Sequence, residues 1–247
     1  MLIVHGLAEH GGRYDRTGGL MAEAGLSVEA VDLRGAGGSA GRRAYVDRWA
    51  DYLDDVKWRL GAVRAAAISR PAILLGHSLG GLVCLDYATS GRPLPDLLIL
   101  SSPAVASTIP GWKRAIARTF AGIASTAKIP NALTGDQLAR DPAVGVAYFG
   151  DPLVETTSTL RLGAESFRAM DRVHERAARL SIPTFVTNGG GDPIVPPASS
   201  EYLAGLPGVT RTVYPDLRHE TLNEPEGPGI VADMLAWIRG QVAVPAG

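Results

Sequence analysis

The chain has 247 residues, of which 46% are hydrophobic, so it is long and apolar enough to bury a full core. Its 24 basic and 25 acidic residues give a formal net charge of −1, which argues against a nucleic-acid partner. A single cysteine, Cys84, excludes an internal disulfide, and no apolar run approaches the length of about 18 residues that a membrane span requires.

Short apolar stretches alternate with helical patterns along most of the chain. In chain order, the predicted strands are residues 2–5, 26–32, 72–76, 96–101, 183–188 and 210–214. Apolar residues at helical spacing from Trp49 to Val63 predict a helix capped by Asp47, and a C-terminal helix has Pro228 in its first turn. This alternation indicates an α/β fold in which helices cover both faces of a parallel sheet.

Residues 104–180 are the exception, because they lack any strand pattern. Apolar residues recur at helical spacing in 111–124, and the segment 167–173 indicates a second helix. The first apolar stripe is compatible with core packing, an acyl channel or contact with a membrane surface. The predicted organisation is a core of residues 1–103 and 181–247 with a helical insertion at 104–180.

The run Gly76-His77-Ser78-Leu79-Gly80 is the motif with the clearest chemical meaning. It follows a predicted strand and precedes a helical pattern that ends near Gly91, which is the setting of a nucleophile elbow. In such an elbow a strained turn exposes the serine hydroxyl above the carboxyl ends of the sheet. The motif alone would also suit a tight turn with a capping serine, so its context decides. Ser78 is the predicted nucleophile.

A serine nucleophile needs a base and an acid that orients the base. The strand at 183–188 leads into a glycine-rich loop that ends at Asp192, and the strand at 210–214 is followed by His219. The order Ser, Asp, His is that of α/β-hydrolases. Asp216 is a rival acid, but it lies three residues before the histidine and is too close to reach the far side of the imidazole. The predicted triad is Ser78, His219 and Asp192.

Two backbone N–H groups are expected to form the oxyanion hole. One belongs to Leu79, directly after the nucleophile, and the other to Leu7, in the turn after the first strand. The remaining histidines are expected to shape loops, to pack or to face solvent. No metal-ligand spacing is present, and the chemistry needs no cofactor.

One local pattern favours a different class of protein. Residues 35–40 satisfy the dinucleotide pattern G-x-G-x-x-A and follow the strand at 26–32. A dinucleotide site would need a helix that opens within this loop and an acidic residue at the end of the next strand. Instead, Gly41, Arg42 and Arg43 continue the loop, and the next strand ends at Gly76. The pattern therefore does not indicate dinucleotide binding.

Several stretches together resemble one family. The segment His5–His10 with Arg13-Tyr14 resembles the H-G-x-x-E-H-x-x-R-Y opening of monoacylglycerol lipases and related lysophospholipases. Further stretches that resemble this family are the loop at 32–41, the segments 138–142 and 148–153, and the histidine loop His219-Glu220 with Asn223-Glu224. The loop at 32–41 departs from the pattern, because Ala36 stands where the family usually has histidine.

The resemblance implies an α/β-hydrolase fold: a mostly parallel sheet with helices on both faces and a helical cap inserted after the sixth family strand. It also implies that the first two family strands are missing here, so that the strand at 26–32 lies at the edge of a six-stranded parallel sheet. Tyr148 is expected to bind the glycerol head of the substrate, although Val144 replaces a nearby acidic residue of the family.

The expected function is that of a serine hydrolase that cleaves carboxylic esters of lipid-like substrates, with monoacylglycerol favoured. Alternatives are another acyl hydrolase (a short-chain esterase, lysophospholipase, thioesterase or peptidase) and a binding protein without turnover. The expected partner is a small lipid ester, with peripheral membrane contact through the cap and no nucleic acid. The sequence predicts a cytoplasmic location and indicates no particular oligomeric state.

Overall fold

Six strands form one parallel sheet in the computed structural model, which describes residues 1–67 and 70–242. Counting two further strands outside this sheet, β5 and β6, the strands in chain order are β1 (Leu2–Val4), β2 (Glu29–Val31), β3 (Ile73–His77), β4 (Leu97–Ser101), β5 (Lys128–Pro130), β6 (Thr157–Thr159), β7 (Thr184–Gly189) and β8 (Val209–Tyr214). The sheet has the order β2-β1-β3-β4-β7-β8, and every pairing in it is parallel. All six predicted strands are therefore present, and the predicted fold class is confirmed.

Helices cover both faces of this sheet. The helices are α1 (Asp15–Glu23), α2 (Trp49–Ala66), α3 (Leu79–Thr89), α4 (Gly111–Phe120), α5 (Gly135–Leu138), α6 (Pro142–Gly150), α7 (Leu160–Arg176) and α8 (Gly227–Val242). Successive residues of a strand point to opposite faces. Leu74 therefore packs in the layer of α2 and α3, whereas Ile73 and Leu75 pack in the layer of α1 and α8. Pro228 lies in the first turn of α8, as predicted.

The predicted cap of α2 is wrong by one residue. The N-cap position is Arg48, whose backbone is extended and whose side chain makes no capping hydrogen bond. The Asp47 carboxylate instead accepts a hydrogen bond from the Tyr45 hydroxyl and lies 3.6 Å from the Arg161 guanidinium. Its partners are thus side chains rather than the first N–H groups of the helix.

Strand β2 lies at one edge of the sheet, as the family resemblance implies. It pairs with β1 over Leu2↔Glu29, Ile3↔Ala30 and Val4↔Val31. Within residues 1–67 and 70–242, no strand pairs with its outer side. Its partly exposed residues contrast with the fully buried β1, β3 and β4, which occupy the centre of the sheet.

The chain leaves the sheet between β4 and β7, where residues 104–180 (the inserted segment) form helices α4 to α7. Both predicted helices of this segment are present. The prediction that it has no strand is wrong, because β5 and β6 pair antiparallel as a small separate sheet. Each has only three residues, too few for a periodic pattern to be visible in the sequence.

The two long helices of the inserted segment differ in burial. α7 packs against α3 and α4 and buries Leu162, Phe167, Met170 and Val173. α4 has no fully buried residue, and Trp112 is 63% exposed. In the part of the chain that the structure describes, no helix is long and apolar enough to cross a membrane.

Candidate active site

Ser78 lies in a strained turn between β3 and α3. Its φ of 50° is in the left-handed region, and its N–H donates to the carbonyl oxygen of Ser101 at 2.9 Å. A Cβ at Gly76 would lie 2.4 Å from the carbonyl oxygen of Gly80, and one at Gly80 would lie 2.2 Å from that of Val4. Both glycines of the motif are therefore required by close backbone approach, which is the steric condition of a nucleophile elbow.

The loops after β7 and β8 bring Asp192 and His219 together. The His219 Nδ1 lies 2.7 Å from Asp192 Oδ2, and both side chains are almost fully buried. Asp192 Oδ1 accepts the N–H groups of Ile194 at 2.8 Å and Val195 at 2.9 Å. These bonds fix the orientation of the carboxylate, so the other oxygen always faces the imidazole. The acid beside the histidine is Asp192, and Asp216 makes no such contact within the described residues.

A second histidine lies beside His219. The ring centroids of His77 and His219 are 4.9 Å apart, and the His77 Nδ1 is 3.3 Å from the Ser101 hydroxyl. Burial and the neighbouring His219 lower the pKa of His77 to about 4. His77 is therefore neutral near pH 7 and adds no positive charge beside the buried pair of Asp192 and His219.

His10 has a partner that the sequence did not indicate. Its Nε2 lies 2.8 Å from Asp151 Oδ2, and its Nδ1 accepts the N–H of Gly12. The other histidine without a predicted partner, His174, packs against the Tyr202 ring with a centroid distance of 4.2 Å. Asp151 belongs to the inserted segment, so the partner of His10 comes from a distant part of the chain and no sequence pattern indicated it.

The turn after β1 holds the first of the two candidate oxyanion donors. Leu7 and Leu79 line the same cavity as Ser78, and within residues 1–67 and 70–242 no protein acceptor meets the N–H of either leucine. The turn is braced by Glu9, whose Oε1 accepts the Gly6 N–H at 2.5 Å and the Tyr14 hydroxyl at 2.7 Å. Backbone donors without partners beside a nucleophile are suited to bind a developing oxyanion.

Arg13 joins the turn after β1 to the loop that carries His219. Its guanidinium bonds Glu9 at 2.5 Å and both carboxylate oxygens of Glu220 at 2.7 and 2.8 Å. Burial alone would raise the pKa of Glu9, but Arg13 and the other favourable partners outweigh it and lower that pKa to about 2. The Glu9 carboxylate therefore stays ionised. No sequence pattern predicted this network, although Glu220 directly after His219 and Glu9 three residues after Gly6 were a visible indication.

A cavity of about 630 Å³ opens over Ser78 and His219. Its apolar wall comes mainly from the inserted segment, through Ile129, Leu138, Leu160, Leu162, Phe167 and Met170. Tyr148 also lines it, with a side chain only 3% exposed and a hydroxyl that has no hydrogen-bond partner among the described residues. The Tyr148 ring stacks on Arg13, with the guanidinium carbon 4.6 Å from the ring centroid.

No metal site is visible in this cavity or elsewhere in residues 1–67 and 70–242, where no cluster of His, Cys, Asp and Glu side chains could hold an ion. The groups that the cavity presents for chemistry are a strained serine, a carboxylate-bound imidazole and two backbone donors. This set is suited to acyl transfer through a covalent intermediate.

Comparison with known proteins agrees with the fold. A family model described as serine aminopeptidase, S33, matches residues 1–226. The chain belongs to this family. It is 33% identical to a monoacylglycerol lipase of Mycolicibacterium smegmatis over 96% of this chain and 87% of that protein. It is 28% identical to the phospholipase YtpA of Bacillus subtilis over 92% of this chain and 89% of the relative.

Solved structures give the same result for the fold. The crystal structure of a monoacylglycerol lipase from Paleococcus ferrophilus superposes with a TM-score of 0.88 at 29% identity, covering 97% of this chain and 93% of that one. A monoglyceride lipase from Saccharomyces cerevisiae superposes with a TM-score of 0.86 at 21% identity, over 97% and 86% of the two chains, and supports the fold alone. The predictions of an α/β-hydrolase fold and of a monoacylglycerol lipase-like serine ester hydrolase are confirmed.

Proposed function

We propose that the protein hydrolyses carboxylic esters of lipid-like molecules, with monoacylglycerol as the preferred substrate. The observation that carries this proposal is the 2.7 Å bond between His219 and Asp192 in the cavity that contains the strained Ser78. In this proposal Ser78 is the nucleophile, His219 the general base and then the general acid, and Asp192 the group that holds the imidazole tautomer.

The reaction would proceed in two half-reactions. The Ser78 oxygen attacks the ester carbonyl carbon while His219 Nε2 takes the hydroxyl proton. The tetrahedral intermediate collapses, the C–O bond to the alcohol breaks, and the imidazolium returns the proton to the leaving alkoxide. Water then attacks the acyl-enzyme with the same base, which releases the fatty acid and restores the serine.

The N–H groups of Leu7 and Leu79 would bind the oxyanion in both half-reactions. Removal of one such donor costs about 10²–10³ in kcat in a well-characterised protease. Glu9 supports this role indirectly, because it accepts the N–H of Gly6 and so fixes the turn that presents Leu7. An ionised Glu9 at neutral pH keeps this bond in place.

Substrate binding would divide the cavity into an apolar part and a polar part. We propose that the inserted segment 104–180 acts as a cap whose apolar side chains hold the acyl chain. The polar part lies near Tyr148, whose buried hydroxyl lacks a partner in the described residues and would bond a hydroxyl of the glycerol head. An unpaired buried hydroxyl costs free energy that such a bond would recover.

An aminopeptidase is the second candidate, because the family model is described by that activity. An aminopeptidase must bind the positively charged amino group of its substrate, usually with a carboxylate. Glu9 and Glu220 line the cavity, but both are bonded to Arg13. Every oxygen of the two carboxylates already accepts a hydrogen bond from Arg13 or from a neutral donor nearby. Neither carboxylate is free to bind an ammonium group, so this site favours a neutral ester over a cationic peptide terminus.

A substrate panel tests this proposal. We expect kcat/KM to rise from acetyl to decanoyl monoacylglycerol, because each buried methylene contributes about 0.8 kcal/mol, or roughly fourfold. The panel should include lysophospholipids, p-nitrophenyl acetate and aminoacyl p-nitroanilides at equal concentrations. A preference for acetyl esters would indicate a short-chain esterase, and faster turnover of the anilides would indicate a peptidase.

We further propose that the cap contacts a lipid surface through α4 and the turn after it. Trp112 is 63% exposed and Ile123 is 85% exposed, and Lys113 and Arg118 lie on the same helix as Trp112.

We expect Trp112→Ser and Ile123→Ser to lower the fraction of protein that sediments with phosphatidylcholine–phosphatidylglycerol vesicles by several-fold. Trp58→Ser is the matched control, because Trp58 is 69% exposed but lies on α2. Equal binding of all variants would refute the contact.

A further inference from the structure

The loop that carries His219 is joined to the cap on both sides of the histidine. On one side, the N–H of Glu220 donates to the carbonyl oxygen of Leu138 at 2.8 Å. On the other side, Glu224 connects Arg218 to Arg140. Leu138 and Arg140 belong to the short cap segment at the end of α5, so this segment runs alongside the histidine loop.

Glu224 makes the second of these connections through its carboxylate. Oε1 accepts the N–H of Arg218 at 2.9 Å, and Oε2 accepts the N–H of Arg140 at 3.0 Å. The side chain is completely buried, with an exposed fraction of 0%. The Arg140 Nε, 3.4 Å away, supplies a compensating positive charge. One buried carboxylate thus satisfies two backbone donors from segments far apart in the chain.

Glu224 is itself held in place. Its carbonyl oxygen accepts the N–H of Gly227 at 2.9 Å, at the start of α8. It does not line the substrate cavity, whereas Glu220 and His219 do. Any effect of Glu224 on the reaction must therefore act through the residues it holds.

We propose that Glu224 is a positioning residue for ester hydrolysis, which keeps His219 aligned with Ser78 by tying the histidine loop to the cap. This role rests on the proposed function. Asp192 fixes the rotation of the imidazole through Nδ1, but the backbone directly before His219 lies outside the helices and strands. There the Leu217 carbonyl oxygen accepts the Gly191 N–H at 3.0 Å. The Arg218 N–H bond to Glu224 restrains that backbone. Misplacement of a catalytic group by 1 Å can cost about 10²-fold in rate.

The substitution Glu224→Gln tests this role with little change of shape. An amide has one acceptor oxygen and one NH₂ donor, so one of the two backbone N–H groups loses its acceptor. We expect kcat for a monoacylglycerol to fall about 10- to 100-fold, as for a misplaced catalytic group, with KM changed less than about threefold. Glu226→Gln is the matched control. Glu226 also pairs with the Arg140 guanidinium, but it is half exposed and does not bond the histidine loop.

A double-mutant cycle separates positioning from a general loss of stability. If Glu224 acts through His219, Glu224→Gln should not lower the residual activity of His219→Ala toward a p-nitrophenyl ester any further. A loss by the same factor in both backgrounds, or wild-type kcat in a folded Glu224→Gln variant, would overturn the proposal. If the glutamine variant does not fold, the same cycle is run with Glu224→Asp, which keeps the charge but shortens the side chain.

The two proposals fail in different ways. Absence of ester turnover in the unmodified protein would refute the proposed function and with it the positioning role. Full turnover in the unmodified protein with identical kinetics for Glu224→Gln and Glu226→Gln would refute the positioning role alone.

Discussion

Ser78→Ala is expected to lower kcat for ester hydrolysis by a factor on the order of 10³ or more, without loss of the fold. Alanine lacks the oxygen that would form the acyl-enzyme, but it retains the Cβ and therefore creates no new clash in the elbow. The measurement is turnover of a p-nitrophenyl ester and of a monoacylglycerol, together with thermal unfolding followed by circular dichroism.

Ser102→Ala is a closely matched control for this experiment. Ser102 follows the neighbouring strand β4, has a φ of 42°, and has a buried hydroxyl with no partner among the described residues. It does not line the cavity. We expect it to keep nearly wild-type turnover. A Ser78→Ala variant that retains turnover, or a Ser102→Ala variant that loses it, would contradict the assignment of the nucleophile.

Asp192→Asn should lower kcat by about 10⁴-fold, the size of the effect of this substitution in a well-characterised serine protease. The structure gives a specific reason. The N–H groups of Ile194 and Val195 both donate to Oδ1, so the amide oxygen of asparagine must occupy that position. The NH₂ group then faces His219 Nδ1 and forces this nitrogen to be an acceptor. The tautomer is then the wrong one to accept the proton of Ser78.

The control for this prediction is Asp216→Asn, which changes the rival acid of the histidine loop in the same way. We expect it to keep wild-type kcat, because the carboxylate beside His219 is that of Asp192. Both variants should fold, and both should be compared by kcat/KM as a function of pH. A larger loss for Asp216→Asn than for Asp192→Asn would exchange the roles of the two acids.

The strands of the parallel sheet and the elbow at Ser78 could be predicted because both depend on local properties of the chain. Buried strands such as β3 are short continuous apolar runs, and a G-x-S-x-G turn is recognisable from its glycines and its flanks. The structure agrees with this motif, because Gly76 and Gly80 approach neighbouring backbone too closely to carry a Cβ. The positions of Ser78, Asp192 and His219 could be predicted in the same way, because each residue follows the end of a predicted strand.

Other features could not be predicted, because each depends on a partner from a distant segment. The strands β5 and β6 exist only as a pair and are too short to show a pattern of their own. His10 meets Asp151 of the inserted segment, and Asp47 meets Arg161 rather than the first turn of α2.

The sequence by itself thus determined the parallel α/β sheet, the strained serine turn and the candidate residues, because hydrophobic periodicity and backbone sterics act over a few neighbouring residues. Only the tertiary structure decided which charges meet. Arg13 lies between Glu9 and Glu220, and Glu224 meets the Arg140 side chain while it accepts the backbone N–H groups of Arg140 and Arg218, because the fold brings these loops together. Burial excludes water from these pairs, and an unpaired charge there would be costly, so the packed fold selects each partner.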